Sequence, residues 1–211
     1  CRSLVEINLP PFLTSIENLT FSVCISLNHI VIPFSVTSIK KSSFLGCHSL
    51  KQIIIPSSVT SIDESAFTYC MALKQVTIPS SVTLIGDDAF HSCQSLAQVF
   101  IPSSVIDFGN CVFIDCISLV QIEFENPSSI RSINYNTFSY CISLKQIIIP
   151  SSVHVIGCGA FCACSSLTQV TFEDPSSVNS IEANAFDQCK ALTAISIPSS
   201  VTTIKGEAFN G

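Results

Sequence analysis

The stretch Leu73-Lys-Gln-Val-Thr-Ile-Pro-Ser-Ser-Val-Thr-Leu-Ile-Gly-Asp-Asp-Ala-Phe-His-Ser-Cys93 sets out a pattern that the rest of the chain repeats. Its apolar positions are Leu73, Val76, Ile78, Val82, Ile85, Phe90 and Cys93. The pattern begins again at Leu96, so the period is 96 − 73 = 23 residues. A fixed period of about 20 to 50 residues is typical of solenoids, in which each repeat packs only against its neighbours. The sequence therefore predicts one continuous stack of repeats.

A recurrent cysteine divides the chain into nine repeats. The repeats start at Cys1, Cys24, Cys47, Cys70, Cys93, Cys116, Cys141, Cys164 and Cys189. Six of the eight intervals are 23 residues and two are 25, because Glu125-Asn126 and Glu173-Asp174 are inserted before a proline. We expect a single domain over residues 1–211. Since the chain opens inside a repeat without an initiator methionine, we expect it to be a fragment of a longer protein.

Composition excludes several classes of function. Of the 211 residues, 47% are hydrophobic and 11% are charged, and the formal net charge is −6. Nucleic-acid binding requires clustered Lys and Arg, so no nucleic-acid partner is expected. No apolar run approaches the length of a membrane-spanning helix, so no membrane insertion is expected within this chain.

Each repeat contains one segment with the pattern of a strand. Lys51–Ile55 is short and rich in β-branched residues, and it ends at Pro56, which lacks the N–H that a ladder needs. Alternation predicts that Ile53 points into the core and that Gln52 and Ile54 point away from it. The Ala-Phe-x-x-Cys segment is expected to return the chain as a tight helical or 3₁₀ turn, with its phenylalanines stacked in the core.

The unit L-x-x-I-x-I-P-x-S-V-x-x-I-x-x-x-A-F-x-x-C resembles the BspA-like leucine-rich repeat, and the resemblance covers the whole chain. The resemblance implies a leucine-rich-repeat solenoid with a parallel β-sheet on the concave face. Short strands and 3₁₀ or helical turns are expected on the convex side. Proteins of this family are surface proteins of host-associated bacteria and mucosal protozoa, with adhesion to host cells and matrix glycoproteins as the usual role. For this chain that role is an expectation by analogy.

Two columns of side chains are predicted to line the exposed face of the sheet. The first contains six consecutive glutamines, namely Gln52, Gln75, Gln98, Gln121, Gln146 and Gln169. Such a run predicts either a ladder of hydrogen-bonded amides along the stack or direct contact with a ligand.

The second column varies between copies, although the backbone requirement is the same in each. It contains Val31, Ile54, Thr77, Phe100, Glu123 and Ile148. Its apolar members either form a binding interface or are ordinary scattered surface residues. We predict binding through this column and through Gln52, Gln75, Gln98 and Gln121.

Acidic residues and cysteines raise the question of metals. Glu125, Glu173 and Asp174 predict a solvated acidic rim more readily than a cation site, which needs converging oxygen ligands. Nine of the twelve cysteines occupy one inward column and are expected to be free, buried thiols. His154, Cys158 and Cys162 lack paired C-x₂-C spacing, so neither a metal nor a cofactor is expected.

No catalytic constellation is visible, because the repeat itself supplies the abundant serines and the histidines occupy unrelated places. The sequence favours a non-enzymatic recognition module that binds a protein or glycan through the concave face. The favoured role is a secreted or cell-surface adhesin. The alternative is a cytoplasmic scaffold for a cytoskeletal or signalling protein.

Overall fold

A computed structural model describes all residues, 1–211, and shows a stack of nine rungs. We number the rungs 1 to 9 from the recurrent cysteines, so rung 3 begins at Cys47. The strands are, in chain order, β1 (Glu6–Ile7), β2 (Ser15–Ile16), β3 (His29–Ile30), β4 (Ser38–Ile39), β5 (Gln52–Ile54), β6 (Ser61–Ile62), β7 (Gln75–Thr77), β8 (Leu84–Ile85), β9 (Gln98–Ile101), β10 (Asp107–Phe108), β11 (Gln121–Phe124), β12 (Ser132–Ile133), β13 (Gln146–Ile149), β14 (Val155–Ile156), β15 (Gln169–Phe172), β16 (Ser180–Ile181) and β17 (Thr203–Ile204). The structure confirms the predicted solenoid.

The strands form two parallel ladders. The first ladder contains the odd-numbered strands β1 to β15, and the second ladder contains the even-numbered strands and β17. Each residue pairs with its counterpart one repeat away, as Gln52 does with Gln75 and Ser61 does with Leu84. This register follows from the repeat, because a slip by one residue would turn every apolar side chain out of the core.

A turn closes each rung and forms a third line of hydrogen bonds along the stack. In rung 3, the N–H groups of Ser65, Phe67 and Tyr69 all donate to carbonyls of rung 4, each at 2.8 Å. The same turn bonds recur in the other rungs. The predicted tight turn is present, but it is not helical. Two positions in each turn, exemplified by Ser65 and Tyr69, have positive φ, and a left-handed residue interrupts a right-handed helix.

A column of phenylalanines runs through the core beside these turns. Neighbouring rings from Phe21 to Phe209 are stacked with centroids 5.2 to 5.8 Å apart. All of them except the exposed Phe209 belong to one cluster of 56 buried hydrophobic residues that is continuous along the stack. No single repeat encloses such a cluster, so stability comes from the contacts between rungs.

Rung 6, which carries the insertion Glu125–Asn126, is paired differently in the two ladders. Strand β11 of this rung pairs back to β9 of rung 5, whereas β12 pairs forward to β14 of rung 7. The second ladder is therefore open between β10 and β12, and the first ladder is open between β11 and β13. There the side-chain Nδ2 of Asn134 donates to the carbonyl oxygen of Phe108. The corresponding carbonyl in rung 4, that of Ile85, accepts a backbone N–H from Gly109 at 2.8 Å.

The turns continue without interruption past this point, since Phe113 N donates to Thr137 O at 2.9 Å. The rings of Phe113 and Phe138 are 5.8 Å apart, the widest step in the column. Around the insertion the solenoid thus keeps its turn hydrogen bonds and its stack of rings, while one step of each ladder is open. A search for a helix long and apolar enough to cross a bilayer finds none.

Candidate binding face

The first ladder presents the two predicted columns on the exposed face of its strands. In β5 the side chains of Gln52 and Ile54 are exposed and that of Ile53 is buried, and β7 and β13 show the same alternation. Pleating alone causes this pattern, because successive side chains of a strand point to opposite faces. The predicted orientation of the strands is confirmed.

The variable column forms a continuous strip. Ile54 pairs directly with Thr77, and Phe100 pairs with Glu123. Rungs 4 and 5 are joined by the pairing of Gln75 with Gln98, which sets Thr77 beside Phe100. The exposed fractions are 65% for Val31, 74% for Ile54, 46% for Phe100 and 57% for Ile148. These residues are therefore accessible, and the structure brings Ile54, Thr77 and Phe100 together on successive rungs.

Three shallow depressions follow one another along this face, and a larger one of about 540 Å³ lies beyond them between rungs 8 and 9. One of the three, of about 340 Å³, is lined by Lys74, Thr77, Phe100 and Glu123 together with three glutamines. Another, of about 180 Å³, lies between rungs 2 and 3 and is lined by Val31, Phe34, Ile54 and Pro56 among others. The third, of about 150 Å³, contains Glu123, Ile148 and Thr171.

Phe34 belongs to this face, and the sequence analysis did not identify it. It lies outside the strand, directly after Pro33, and its side chain is 79% exposed. The available signal was a comparison of copies, because rungs 3, 4 and 5 carry serine at this position.

The predicted amide ladder is wrong. No hydrogen bond joins the side chains of neighbouring glutamines. Instead, Gln121 Nε2 donates to Glu123 Oε1, and Gln169 Nε2 donates to Thr171 Oγ1 at 3.2 Å, both within the same rung. Water can satisfy an exposed amide as well as a neighbouring amide can, so little free energy favours a ladder here.

Two of the three inserted acidic residues, Glu125 and Glu173, make structural contacts, whereas the side chain of Asp174 is exposed. Glu125 Oε2 accepts a hydrogen bond from Ser103 N at 2.7 Å, and Glu173 Oε2 accepts one from Ser151 N at 2.8 Å. The bond from Ser103 lowers the pKa of Glu125 below its ordinary value of 4.5. Asn126 Nδ2 also donates to Glu173 Oε1 at 3.1 Å. The oxygens of Glu125 and Glu173 are thus engaged by N–H donors.

Serine hydroxyls make the corresponding link in the rungs without an insertion. The second serine after the proline donates to a backbone carbonyl one rung earlier, as Ser58 Oγ does to Val36 O at 2.6 Å. The same bond is made by Ser35, Ser81, Ser104, Ser152 and Ser200. The abundance of serine is therefore explained by the architecture.

The region around His154 also has structural partners. Its Nδ1 lies 2.8 Å from the carbonyl oxygen of Ser152, whose hydroxyl is already donated to Ile130 O at 2.7 Å. Cys162 Sγ contacts Asp187 Oδ2 at 3.8 Å. Nowhere in the structure do three or more His, Cys, Asp or Glu side chains converge as a metal site would require.

The inward cysteines are held by the backbone. Each thiol from Cys47 to Cys189 in this column donates to the carbonyl of the phenylalanine 26 or 28 residues earlier in the chain, as Cys70 Sγ does to Phe44 O at 3.3 Å. Burial raises the pKa of Cys47 to about 12 and that of Cys189 to about 12. Thiols with such a pKa are poor nucleophiles at neutral pH.

The parallel ladders, the 23-residue rung and the exposed strand face define this chain as a leucine-rich-repeat solenoid. The family model for the BspA type leucine-rich-repeat region matches residues 1–97 and 85–211. The chain belongs to that family. No curated protein matches it.

Solved bacterial leucine-rich-repeat proteins have the same architecture. A protein from Bacteroides ovatus is 29% identical with a TM-score of 0.85 over 95% of this chain and 53% of its own. One from Eubacterium ventriosum is 27% identical with a TM-score of 0.79 over 99% of this chain and 59% of its own. A leucine-rich cell surface protein from Faecalibacterium prausnitzii is 32% identical, with a TM-score of 0.58, over 97% of this chain and 60% of its own. The chain thus spans little more than half the length of these relatives.

Proposed function

We propose that this chain is a non-enzymatic recognition module that binds a protein or glycan ligand through the exposed face of the first ladder. The observation that carries the proposal is the strip formed by Ile54, Thr77 and Phe100. These side chains are exposed on three consecutive rungs. Exposed apolar side chains that the packing of the solenoid does not require indicate a binding interface.

The family points to a cell-surface role. A similar protein from Faecalibacterium prausnitzii is named a leucine-rich cell surface protein, and the resemblance to BspA-like proteins implies adhesion as the usual role. We therefore propose display on a cell surface or secretion, with a host matrix or cell-surface glycoprotein as the partner.

One observation favours a second candidate function. The thiols of the inward column donate to backbone carbonyls, and free thiols persist in a reducing compartment. On this reading the chain is part of a cytoplasmic scaffold that uses the same face for a cytoskeletal or signalling protein.

The two candidates are separated by a pull-down with the chain as bait. Extracts of host matrix and host cells are tested in parallel with cytosol of the source cell. A partner that is enriched only from cytosol supports the scaffold. A partner that is enriched only from host material supports the adhesin.

Variants of the bait test the face itself. Phe100→Ser is expected to weaken binding about tenfold or more, because aromatic anchors dominate interfaces, and to leave the melting temperature unchanged. Phe113→Ser changes a buried ring and should unfold the protein. If Phe100→Ser binds normally while Asp87→Lys in the turn abolishes binding, the ligand contacts the turns and the proposed face is wrong.

A further inference from the structure

The depression between rungs 2 and 3 is the most apolar part of the binding face. We define the apolar pocket as Val31, Phe34 and Ile54, whose exposed fractions are 65%, 79% and 74%. Its volume is about 180 Å³, and His29 and Gln52 are its only polar lining residues. A pocket with so few hydrogen-bonding groups suits an apolar side chain. A sugar bound in the same place would give up the hydrogen bonds that its hydroxyl groups make with water, and the pocket would replace few of them.

Comparison of the copies shows that the solenoid itself does not need Phe34. The position directly after the proline is Ser57 in rung 3, Ser80 in rung 4 and Ser103 in rung 5. The neighbouring residue Ser35 still makes the hydrogen bond to rung 1 that its counterparts make elsewhere, to Leu13 O at 2.6 Å. The aromatic ring in rung 2 is thus added to an otherwise standard turn and is left exposed.

Two lysines lie at the starts of neighbouring strands. Lys51 directly precedes Gln52, which begins β5 and lines the apolar pocket, and Lys74 directly precedes β7. Lys74 N donates to Lys51 O at 3.0 Å, so the two residues are neighbours along the stack. Neither ammonium group is in a salt bridge, whereas Lys40, Lys41 and Lys205 are each paired with a carboxylate.

Acidic residues flank this arrangement on both sides. Glu6 in rung 1 pairs in register with His29, which lines the apolar pocket, and Glu123 in rung 6 lines a depression together with Lys74. The face therefore combines an apolar pocket with Lys51 beside its lining residue Gln52 and with Lys74 one rung further on. This combination is complementary to a ligand that carries a bulky apolar side chain next to negative charge.

We propose that the apolar pocket and the pair Lys51 and Lys74 bind an extended segment of a partner protein that has an aliphatic or aromatic residue beside acidic residues. The inference rests on the proposed function and narrows its ligand from protein or glycan to an acidic, apolar peptide segment. Burial of the segment's apolar side chain in the pocket contributes binding free energy. The segment's carboxylates pair with the two lysines and so fix the direction in which the segment lies on the face.

Selection from a phage-displayed library of random linear peptides tests the inference without a known ligand. Peptides enriched on the wild-type chain are expected to share one bulky apolar residue flanked by Asp or Glu. Their binding is then measured as synthetic peptides by fluorescence anisotropy. Phe34→Ser and Ile54→Ser should each weaken binding about tenfold or more. Lys51→Glu with Lys74→Glu should weaken it to a similar degree, and added NaCl should weaken wild-type binding.

The matched control is Lys145→Glu, which changes the same position of the repeat four rungs from Lys51 and should leave binding unchanged. All of these side chains are exposed, so unchanged melting temperatures will verify the fold. The selection could instead enrich apolar peptides that have no acidic residues and that bind the lysine variants as tightly as the wild type. That result would overturn the inference and leave the proposed function standing. Failure to enrich any peptide would also overturn it. Peptides insensitive to changes at Phe34, Ile54 and Phe100 would contradict the proposed face as well.

Discussion

The Oε2 atom of Glu125 accepts a hydrogen bond from the backbone N–H of Ser103 at 2.7 Å, and the two residues belong to adjacent rungs. Glu173 makes the same contact with Ser151 two rungs further on. The ordinary rungs make their link at this corner with a serine hydroxyl, as Ser58 does. The two insertions therefore replace one inter-rung bond by another, and this is why longer repeats fit the stack.

We expect Glu125→Gln to reduce the pH dependence of stability. The folded state lowers the pKa of Glu125, so its contribution is present above the ordinary pKa of 4.5 and is lost as the pH falls through the folded value. Urea unfolding measured between neutral and acidic pH should show a smaller loss in the variant. Glu123→Gln is the matched control, because Glu123 accepts only from Gln121 in its own rung. Identical pH profiles of wild type and Glu125→Gln would contradict the role of this bond.

Phe90→Ala should be strongly destabilising. Its ring is fully buried and stacks on Phe67 at 5.3 Å and on Phe113 at 5.4 Å. Deleting a core phenylalanine costs roughly 3–5 kcal/mol. Urea denaturation followed by circular dichroism measures the loss, and Phe44→Ala and Phe138→Ala should behave alike. Phe100→Ala, at an exposed position, is the control and should change stability little.

The inward thiols should resist alkylation in the native protein. Iodoacetamide attacks thiolates, and burial raises the pKa of Cys47 to about 12. Mass spectrometry after treatment at pH 8 without reductant should find Cys47, Cys70 and Cys93 unmodified and unbridged. The same thiols should react in urea, and the exposed Cys1 serves as the internal control. A Cys47–Cys70 disulfide would contradict this expectation and indicate an oxidising compartment.

Val23→Gly should stabilise the protein. Val23 has a φ of 56°, in the left-handed region where a β-branched residue is strained, and Gly46 occupies the same position of the next rung with a φ of 70°. Relieving this conformation should contribute about 1 kcal/mol, and Gly46→Ala should lose about as much. Urea midpoints measure both changes. Gly206→Ala is the control, since this glycine is not left-handed and has open space around it. A destabilised Val23→Gly would show that the turn does not strain this residue.

Sequence reasoning identified the parts of the structure that depend on local pattern. The 23-residue period gave the nine rungs, and alternation around Ile53 gave the buried and exposed faces. The left-handed backbone positions of the turns were not predicted, because the usual sequence signal for such a position is glycine. Here fifteen left-handed residues, including Ser65 and Tyr69, are not glycine, whereas three are. Except for Glu207 in the last rung, these residues donate backbone hydrogen bonds to carbonyls of the next rung, and such contacts are not encoded within one repeat.

The sequence by itself determined the architecture of this protein, because each repeat places the same residue types at the same distances and only a stack buries them all. The tertiary structure alone decided which side chains meet across rungs. It joined Glu125 to Ser103, left the glutamines without a ladder, and placed Phe34 in one depression with Val31 and Ile54. The physical reason is that these contacts depend on how adjacent rungs are offset. That offset results from the combined packing and hydrogen bonding of all nine rungs, which no single repeat specifies.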